Sequence, residues 1–268
     1  MAALYRTLLL GIIASILIFT LFPQIDLATT RLFYTAGEGF ALSRLGWVDG
    51  VRRLHMSLAW AAGIVALVLW LGLVLKSRRL NPFSAPMIWL QDSGGAPGAW
   101  VHRMIGRAGD LLARTGLLDL APRRVIYVLV CLLVGPGLLA NVVLKDHWGR
   151  ARPSQVTEFG GTRTFTPALS LSDQCPRNCS FVSGEASLGF WWLAFGFLAA
   201  PGRRRRLVVA AGLGMGTFMG VLRVAGGGHF LSDAIFAGLL TITVCAILAE
   251  LMAIQAGTPD TRPARPPV

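Results

Sequence analysis

The sequence predicts an all-α membrane protein, a bundle of six membrane-spanning helices, and three observations lead to this prediction. Hydrophobic residues make up 54% of the 268 residues and charged residues only 14%, with a mean hydropathy of +0.61. The apolar residues come in long runs, which is typical of membrane helices. The lysines and arginines behind the net charge of +12 lie mainly at the ends of those runs. That pattern sets membrane topology and does not indicate a nucleic-acid partner.

Six apolar runs carry the predicted spans. They cover residues 7–22, 56–75, 125–143, 186–200, 207–222 and 234–254. No small-residue cleavage site follows the first run, so we expect it to be retained rather than removed as a signal peptide. Some runs are shorter than the about 20 residues that a helix needs to cross a bilayer, and we therefore expect the helix ends to lie several residues from these bounds.

The spans form a single predicted membrane domain over residues 1–256. Residues 76–124 contain several prolines, glycines and basic residues and are predicted to be a cytoplasmic loop. Within that loop, residues 101–118 have the amphipathic pattern of a helix that lies on the membrane surface. The proline-rich residues 257–268 are predicted to be a disordered cytoplasmic tail.

The distribution of the 25 lysines and arginines predicts the orientation of the chain. Most lie near the N-terminus, in the loop 76–124, in the run Arg203–Arg206 and in the tail, and loops rich in basic residues remain in the cytoplasm. Both termini are therefore expected on the cytoplasmic side of the membrane. The loop after Lys145 and the stretch 223–233 then lie on the outer face, where a disulfide between Cys175 and Cys179 or two free thiols are both compatible with the sequence.

Three polar clusters lie at the outer ends of the predicted spans, so the fold can bring them together. They are KDHWGRARP from Lys145, SFVSGEAS from Ser180 and RVAGGGHFLSD from Arg223. Cations, a hydroxyl at a helix start and glycine amides suit a tetrahedral anion. His229, four residues before Asp233, supplies a nucleophile whose tautomer a carboxylate can hold. One cluster alone would be explained as polar residues anchoring a span, but three on one face predict a phosphoryl-transfer site.

The spacing of these residues resembles the three-part signature of the type-2 phosphatidic acid phosphatase superfamily. The matching motifs are Lys145-x6-Arg152-Pro153, then Ser183-Gly184, then Arg223-x5-His229-x3-Asp233. The resemblance implies that His229 is a nucleophile that forms a phosphohistidine, oriented and charged by Asp233, without a metal or other cofactor. It also implies which residues bind the phosphate oxygens: Lys145, Arg152, Ser183, Gly184 and Arg223.

The middle motif departs from the family pattern. The family usually has Pro-Ser-Gly-His, whose histidine is the general acid, and here the motif reads Val182-Ser183-Gly184-Glu185. Glu185 can act as the acid only if its pKa is raised, with His147 as the alternative and Arg150 as a further accessory cation. A protein that has lost its acid would belong to a different class, the non-catalytic membrane proteins that bind lipid phosphates.

Within the family, the motifs are most similar to those of the lipid A phosphatase branch. This resemblance implies hydrolysis of a phosphate monoester or pyrophosphate on a lipid head group, with lipid A favoured. Undecaprenyl pyrophosphate, phosphatidylglycerophosphate and phosphatidate are alternative substrates, and transfer to an acceptor other than water is an alternative reaction. The expected partners are a phosphorylated lipid and the bilayer, and the sequence does not define an oligomeric state.

Overall fold

The fold is almost entirely helical. The computed structural model describes residues 1–77 and 122–254. The predicted surface helix at 101–118 and the predicted tail at 257–268 lie outside these residues. The helices are α1 (Ala2–Leu21), α2 (Gln24–Arg31), α3 (Gly46–Ser77), α4 (Pro122–Leu132), α5 (Gly184–Trp191), α6 (Ala194–Leu198), α7 (Arg203–Ala225) and α8 (Leu231–Leu251).

Five helices are long and apolar enough to cross a membrane. They cover Ala2–Leu21, Gly46–Val74, Pro122–His147, Arg203–Ala225 and Leu231–Leu251. Large apolar side chains face outward from them, as on Leu10, which is 66% exposed, and Trp60, which is 67% exposed. Such surfaces suit lipid rather than water, and the prediction of an all-α membrane bundle is confirmed.

The fourth predicted span has a different structure from a continuous helix. Residues 186–200 form the end of α5 and the whole of α6, which have eight and five residues and are separated at Trp192 and Leu193. Trp191, Trp192 and Phe195 pack together at this interruption. A sixth span is therefore not confirmed.

The helix that begins with α4 changes its winding before it reaches the first polar cluster. It continues as a π-helix over Leu133–Leu144 and closes with the turn Lys145–His147. Pro136 lies inside the π-helical stretch and has no N–H to donate. The Asn141 side chain donates a hydrogen bond to the Pro136 carbonyl oxygen at 2.6 Å. Such long π-helical stretches are rare and π turns often occur at functional sites.

Helix α7 packs closely against α5 through small residues. Gly212, Gly216 and Gly220 recur at every fourth position along α7 and are buried. A Cβ atom on Gly216 would collide with the Phe190 ring, and one on Gly189 would lie 2.7 Å from the Cα atom of Gly216. The absence of side chains therefore lets the two backbones approach each other, as is common between membrane helices.

The segment between α1 and α3, which lies between the first two predicted spans, contains several short ordered elements. It contains α2, an antiparallel hairpin of Tyr34–Thr35 with Gly39–Phe40, and a 3₁₀ turn. Helix α3 begins at Gly46 rather than near residue 56. This polar first part of α3 carries Arg52, whose side chain pairs with Glu185.

The chain divides into two compact units. Of the described residues, 1–61 and 130–254 belong to one unit, and 62–77 and 122–129 belong to the other. The core of the second unit includes Ala66, Leu73, Val125 and Leu129. All the candidate site residues belong to the first unit, and the single domain over 1–256 stays a prediction.

Candidate active site

The loop of three glycines between α7 and α8 positions His229. The N–H groups of Gly228 and His229 donate to the Arg223 carbonyl oxygen at 2.9 and 3.2 Å. Gly227 has a φ of +65°, which favours glycine. A Cβ atom on Gly228 would collide with the Arg223 guanidinium. The glycines therefore let the backbone that precedes His229 fold directly against this cation.

One nitrogen of the His229 imidazole is fixed by a backbone carbonyl group. Nδ1 lies 2.7 Å from the Ser180 carbonyl oxygen, in a buried environment. Because a carbonyl oxygen only accepts hydrogen bonds, Nδ1 must carry the proton. Nε2 has no hydrogen-bond partner among the residues that the structure describes, so its lone pair is free to attack an electrophile.

Asp233 orients His229 less directly than the sequence suggests. Its Oδ2 atom is 3.7 Å from His229 Nδ1, which is too long for a hydrogen bond. Oδ2 instead accepts hydrogen bonds from the Ser180 hydroxyl at 2.5 Å and the Phe230 N–H at 2.8 Å. Asp233 thus holds both Ser180, whose carbonyl oxygen orients the imidazole, and the first residues of α8.

The surroundings of His229 keep its imidazole neutral. Its pKa is lowered from 6.5 to about 4, chiefly by burial and also by the nearby charges of Arg223 and Lys145, against the opposing effect of Asp233. A neutral imidazole retains the lone pair that nucleophilic attack requires.

Glu185 lies in the first turn of α5, in an ion pair that the sequence did not indicate. Arg52 donates to its two oxygens at 2.8 and 2.7 Å, and Arg223 Nε lies 3.5 Å from Oε1. Burial raises the pKa of Glu185, but the hydrogen bonds from Arg52 and the charges of Arg223 and Arg52 together hold it below its ordinary value. Glu185 is therefore a carboxylate here, without the raised pKa that a general acid needs.

A cavity of about 300 Å³ borders this part of the site. Lys145, Gly184 and Glu185 line it, together with apolar residues such as Trp60. A Cβ atom on Gly184 would lie 3.1 Å from Lys145 Nζ, so the glycine lets the ammonium group approach the N-terminus of α5. Ser183 caps this helix, since its Oγ atom accepts from the Ala186 N–H at 3.4 Å. A helix N-terminus beside a cation favours an anion such as phosphate.

Arg223 has spare capacity to bind an anion. Its Nε atom is buried and lies 3.5 Å from Glu185 Oε1, but it makes no hydrogen bond within residues 1–77 and 122–254. A buried guanidinium N–H without a hydrogen bond is costly, and a phosphate oxygen would supply an acceptor. This observation supports the phosphate-binding role that the resemblance implies for Arg223.

Arg152 is held by the loop between Cys175 and Cys179, which form a disulfide with their Cα atoms 5.6 Å apart. Arg152 Nη2 donates to the carbonyl oxygen of Asn178 at 2.8 Å and to its side-chain oxygen at 3.0 Å. The Cys179 N–H donates to the Lys145 carbonyl oxygen at 2.9 Å. Of the two states open from sequence, the bridged one is present, and its loop contacts Lys145 and Arg152 of the first cluster.

The two accessory residues lie apart from the cations and the α5 N-terminus. His147 is exposed, and its Nδ1 atom is 3.1 and 2.9 Å from the carbonyl oxygens of Val142 and Val143 in its own helix. Arg150 is fully buried, and its Nη1 atom donates to Asp233 at 2.6 Å. Arg150 therefore supports the carboxylate rather than lining the cavity.

The site lacks the features of a metal centre. Among residues 1–77 and 122–254 there is no group of three or more histidines, cysteines and acidic residues that could hold a metal ion. The charged groups that line the cavity are Lys145 and Glu185, beside the N-terminus of α5 at Gly184. The cofactor-free reaction implied by the resemblance stays a prediction.

Sequence reasoning identified the cations and His229 but missed three residues that organise them. Arg52 comes from α3, Asp26 from α2, and Ser180 acts partly through its backbone carbonyl group. Ser180 lies inside the second cluster, and its closeness to Ser183 was the only available signal. Arg52 and Asp26 stand in no motif.

Comparison with known proteins finds similarity in the part of the chain that carries the three polar clusters. Residues 124–255 match the family described as the PAP2 superfamily. The lipid A 4'-phosphatase of Francisella tularensis subsp. novicida is 42% identical over 130 residues, which are 48% of this chain and 59% of the relative. Those of Rhizobium leguminosarum and Rhizobium etli are 43% and 41% identical over 124 residues, 46% of this chain and 53% and 48% of the relatives. The chain thus spans about half the length of these relatives, and no solved structure matches it significantly.

Proposed function

We propose that this chain is a member of the PAP2 superfamily, whose family model matches residues 124–255, and that it is a membrane lipid phosphatase that hydrolyses a phosphate monoester on a lipid head group. The observation that carries the proposal is the His229 imidazole, whose Nδ1 proton is fixed by Ser180 and whose Nε2 atom is free. Lipid A is the favoured substrate, because the relatives described above are lipid A 4'-phosphatases.

The proposed reaction has two steps at phosphorus. In the first, the Nε2 lone pair of His229 forms an N–P bond while the bond between phosphorus and the lipid ester oxygen breaks, and the leaving oxygen takes a proton from water because Glu185 is ionised. In the second, a water oxygen attacks phosphorus, the N–P bond breaks, and inorganic phosphate leaves with the imidazole neutral again. Lys145, Arg152 and Arg223, with the Ser183 hydroxyl and the Gly184 amide at the start of α5, stabilise the charge on the phosphate oxygens.

We place the site at the periplasmic face of the inner membrane, with both termini in the cytoplasm and with α5 and α6 together as the fourth of six spans. Arg203–Arg206 begin α7, whereas Arg223 lies at its other end. Because basic runs remain in the cytoplasm, the end that carries Arg223 is outside. The Cys175–Cys179 disulfide lies at that same end, and disulfides persist in the periplasm.

A second candidate function is supported by one specific observation. Glu185 replaces the family's acid histidine and is held as a carboxylate by Arg52. A protein without a general acid could bind a lipid phosphate and not hydrolyse it.

Phosphate release by the purified full-length protein in detergent separates the two functions. The substrates are lipid A, undecaprenyl pyrophosphate, phosphatidylglycerophosphate and phosphatidate, each tested with the wild type, His229→Ala and Glu185→Gln. We expect release from lipid A by the wild type and none above background with His229→Ala. Because Glu185 is ionised, we expect Glu185→Gln to lose less than the roughly 100-fold that removal of a general acid costs at minimum.

The outcomes point to different conclusions. Release from another lipid of the panel alone would correct the substrate and leave the mechanism in place. Lipid phosphate that binds without any release would establish the binding protein. An active His229→Ala protein would exclude His229 as the nucleophile.

A further inference from the structure

Asp26 in α2 forms hydrogen bonds with Arg150 and Ser232, which lie next to the residues that hold His229. Asp26 itself lies outside residues 124–255, the segment that matches the family model. Its side chain is 1% exposed. Oδ1 accepts a hydrogen bond from the Ser232 N–H at 2.9 Å, and Oδ2 accepts from the Ser232 hydroxyl at 2.5 Å and from Arg150 Nη2 at 2.8 Å. A carboxylate at the first turn of α8 stabilises that helix end and fixes where it begins.

Arg150 connects Asp26 to Asp233. Its guanidinium is fully buried and donates through Nη1 to Asp233 at 2.6 Å and to Ser232 Oγ at 2.9 Å. Nε donates to the Thr166 carbonyl oxygen at 2.9 Å, and the group lies 4.2 Å from the centre of the Phe230 ring. Four hydrogen bonds and a ring contact hold the planar guanidinium in one orientation, so its two ends set the relative positions of the two carboxylates.

Stability is a weak explanation for this arrangement. Two carboxylates and one guanidinium are withdrawn from water, and burial raises the pKa of Asp26. Buried ionic groups are often no more stabilising than apolar residues of similar volume. A network in which each group is hydrogen bonded does, however, define a single geometry, and this network ends at the residues that hold His229.

We infer that Asp26 and Arg150 are positioning residues for His229. They hold Asp233 and Ser232, Asp233 holds the Ser180 hydroxyl, and the Ser180 carbonyl oxygen holds the Nδ1 proton of His229. The segment before residue 124 thereby completes the active site. This inference rests on the nucleophilic role proposed for His229.

Four variants of the full-length protein test the inference: Asp26→Asn, Arg150→Gln, the double variant, and Glu38→Gln as a control. Asn presents an N–H₂ group in place of one oxygen, toward the Ser232 and Arg150 donors, so the network breaks with little change in volume. Glu38 is an exposed acidic residue of the same N-terminal segment. It makes no side-chain contact with the network in the described structure.

Kinetics with lipid A gives the first readout. We expect kcat to fall roughly tenfold or more in Asp26→Asn, as for the loss of about one buried charged hydrogen bond. KM and inhibition by inorganic phosphate should stay within about twofold, because Lys145, Arg152 and Arg223 are unchanged. The double variant should be no slower than Arg150→Gln, since residues that act through one another are not additive.

Nitrogen NMR of ¹⁵N-histidine-labelled protein gives a readout that needs no turnover. The chain has four histidines, and His229→Ala assigns the signal. We expect a single tautomer with the proton on Nδ1 in the wild type and Glu38→Gln, and a mixture of tautomers in Asp26→Asn. His229 signals and kcat in Asp26→Asn that match those of Glu38→Gln would overturn the inference. A wild type that releases no phosphate would overturn the proposed function, whereas the NMR comparison would still decide the positioning role.

Discussion

At the residue scale, the tautomer and charge of His229 depend on the hydrogen-bond partner of its Nδ1 atom. The Ser180 carbonyl oxygen takes the Nδ1 hydrogen bond, while Asp233 acts on the histidine from 3.7 Å. A carbonyl group fixes the tautomer without adding a full charge, so the imidazole remains neutral and Nε2 keeps its lone pair.

The depressed pKa of His229 predicts how the residue titrates. Burial lowers this pKa from 6.5 to about 4. We expect the ¹⁵N signals of His229 to show a neutral ring well below pH 6.5, and to change only as the pH approaches about 4. A midpoint near 6.5 in folded wild-type protein would contradict this account of the site.

The same shift predicts the sign of a stability effect. Between about pH 6.5 and 4, the unfolded chain binds a proton at this histidine and the folded chain does not. The contribution of His229 to the free energy of unfolding is therefore fully present above pH 6.5 and is lost as the pH falls toward 4.

The sequence could predict some residues of the site and not others for a physical reason. Lys145, Arg152, Arg223 and His229 stand in motifs whose spacing is visible along the chain. The Arg52–Glu185 contact joins residues 133 positions apart, and the Arg150–Asp26 contact joins residues 124 positions apart. Motif spacing along the chain does not indicate pairs that are so far apart. The Ser180 carbonyl oxygen is a backbone group that every residue has, so the residue type does not identify it as an acceptor.

At the scale of elements, the disulfide loop connects the first and second polar clusters. It contains Asn178, which accepts from Arg152, and Cys179, whose N–H donates to the Lys145 carbonyl oxygen. Ser180 follows directly and holds His229. A short loop closed by a disulfide thus lies between Lys145 and Arg152, which we propose bind phosphate, and Ser180, which holds His229.

Opening this loop should weaken substrate binding. In the double variant Cys175→Ser, Cys179→Ser, we expect KM to rise roughly tenfold, equivalent to about 1.4 kcal/mol of binding free energy, because Arg152 loses its fixed acceptor. Reducing agent should produce the same change in the wild type. It should have no further effect on the double variant, which serves as the control; a wild type insensitive to reduction would contradict this role.

For two elements, hydropathy alone was insufficient to predict where the helix begins or is interrupted. Residues 186–200 form two short helices interrupted at Trp192 and Leu193, and an apolar run alone does not show such an interruption. Helix α3 extends upstream of its apolar run because Arg52 has Glu185 as a partner. That partner lies too far along the chain for a sequence pattern to reveal it.

At the scale of the whole molecule, the candidate site residues lie at the ends of several helices. The π-helical stretch ends at Lys145, α5 begins at Gly184, and the loop between α7 and α8 carries His229. The N-terminal segment adds Asp26 and Arg52, which lie outside residues 124–255. Composition and apolar runs were sufficient to predict the fold class. The contribution of Asp26 and Arg52 to the site could be seen only in the tertiary structure.

The central claim is that Nε2 of His229 takes the phosphoryl group from a lipid. The most direct measurement is rapid quenching of wild-type protein with lipid A labelled with ³²P at the 4'-phosphate, under alkaline conditions that preserve phosphohistidine, followed by peptide mass spectrometry. The account predicts a base-stable, acid-labile phosphoryl group on Nε2 of His229, formed and lost at rates that support turnover and absent from His229→Ala. Phosphate release without label on His229 at any reaction time, or label on another residue, would contradict it.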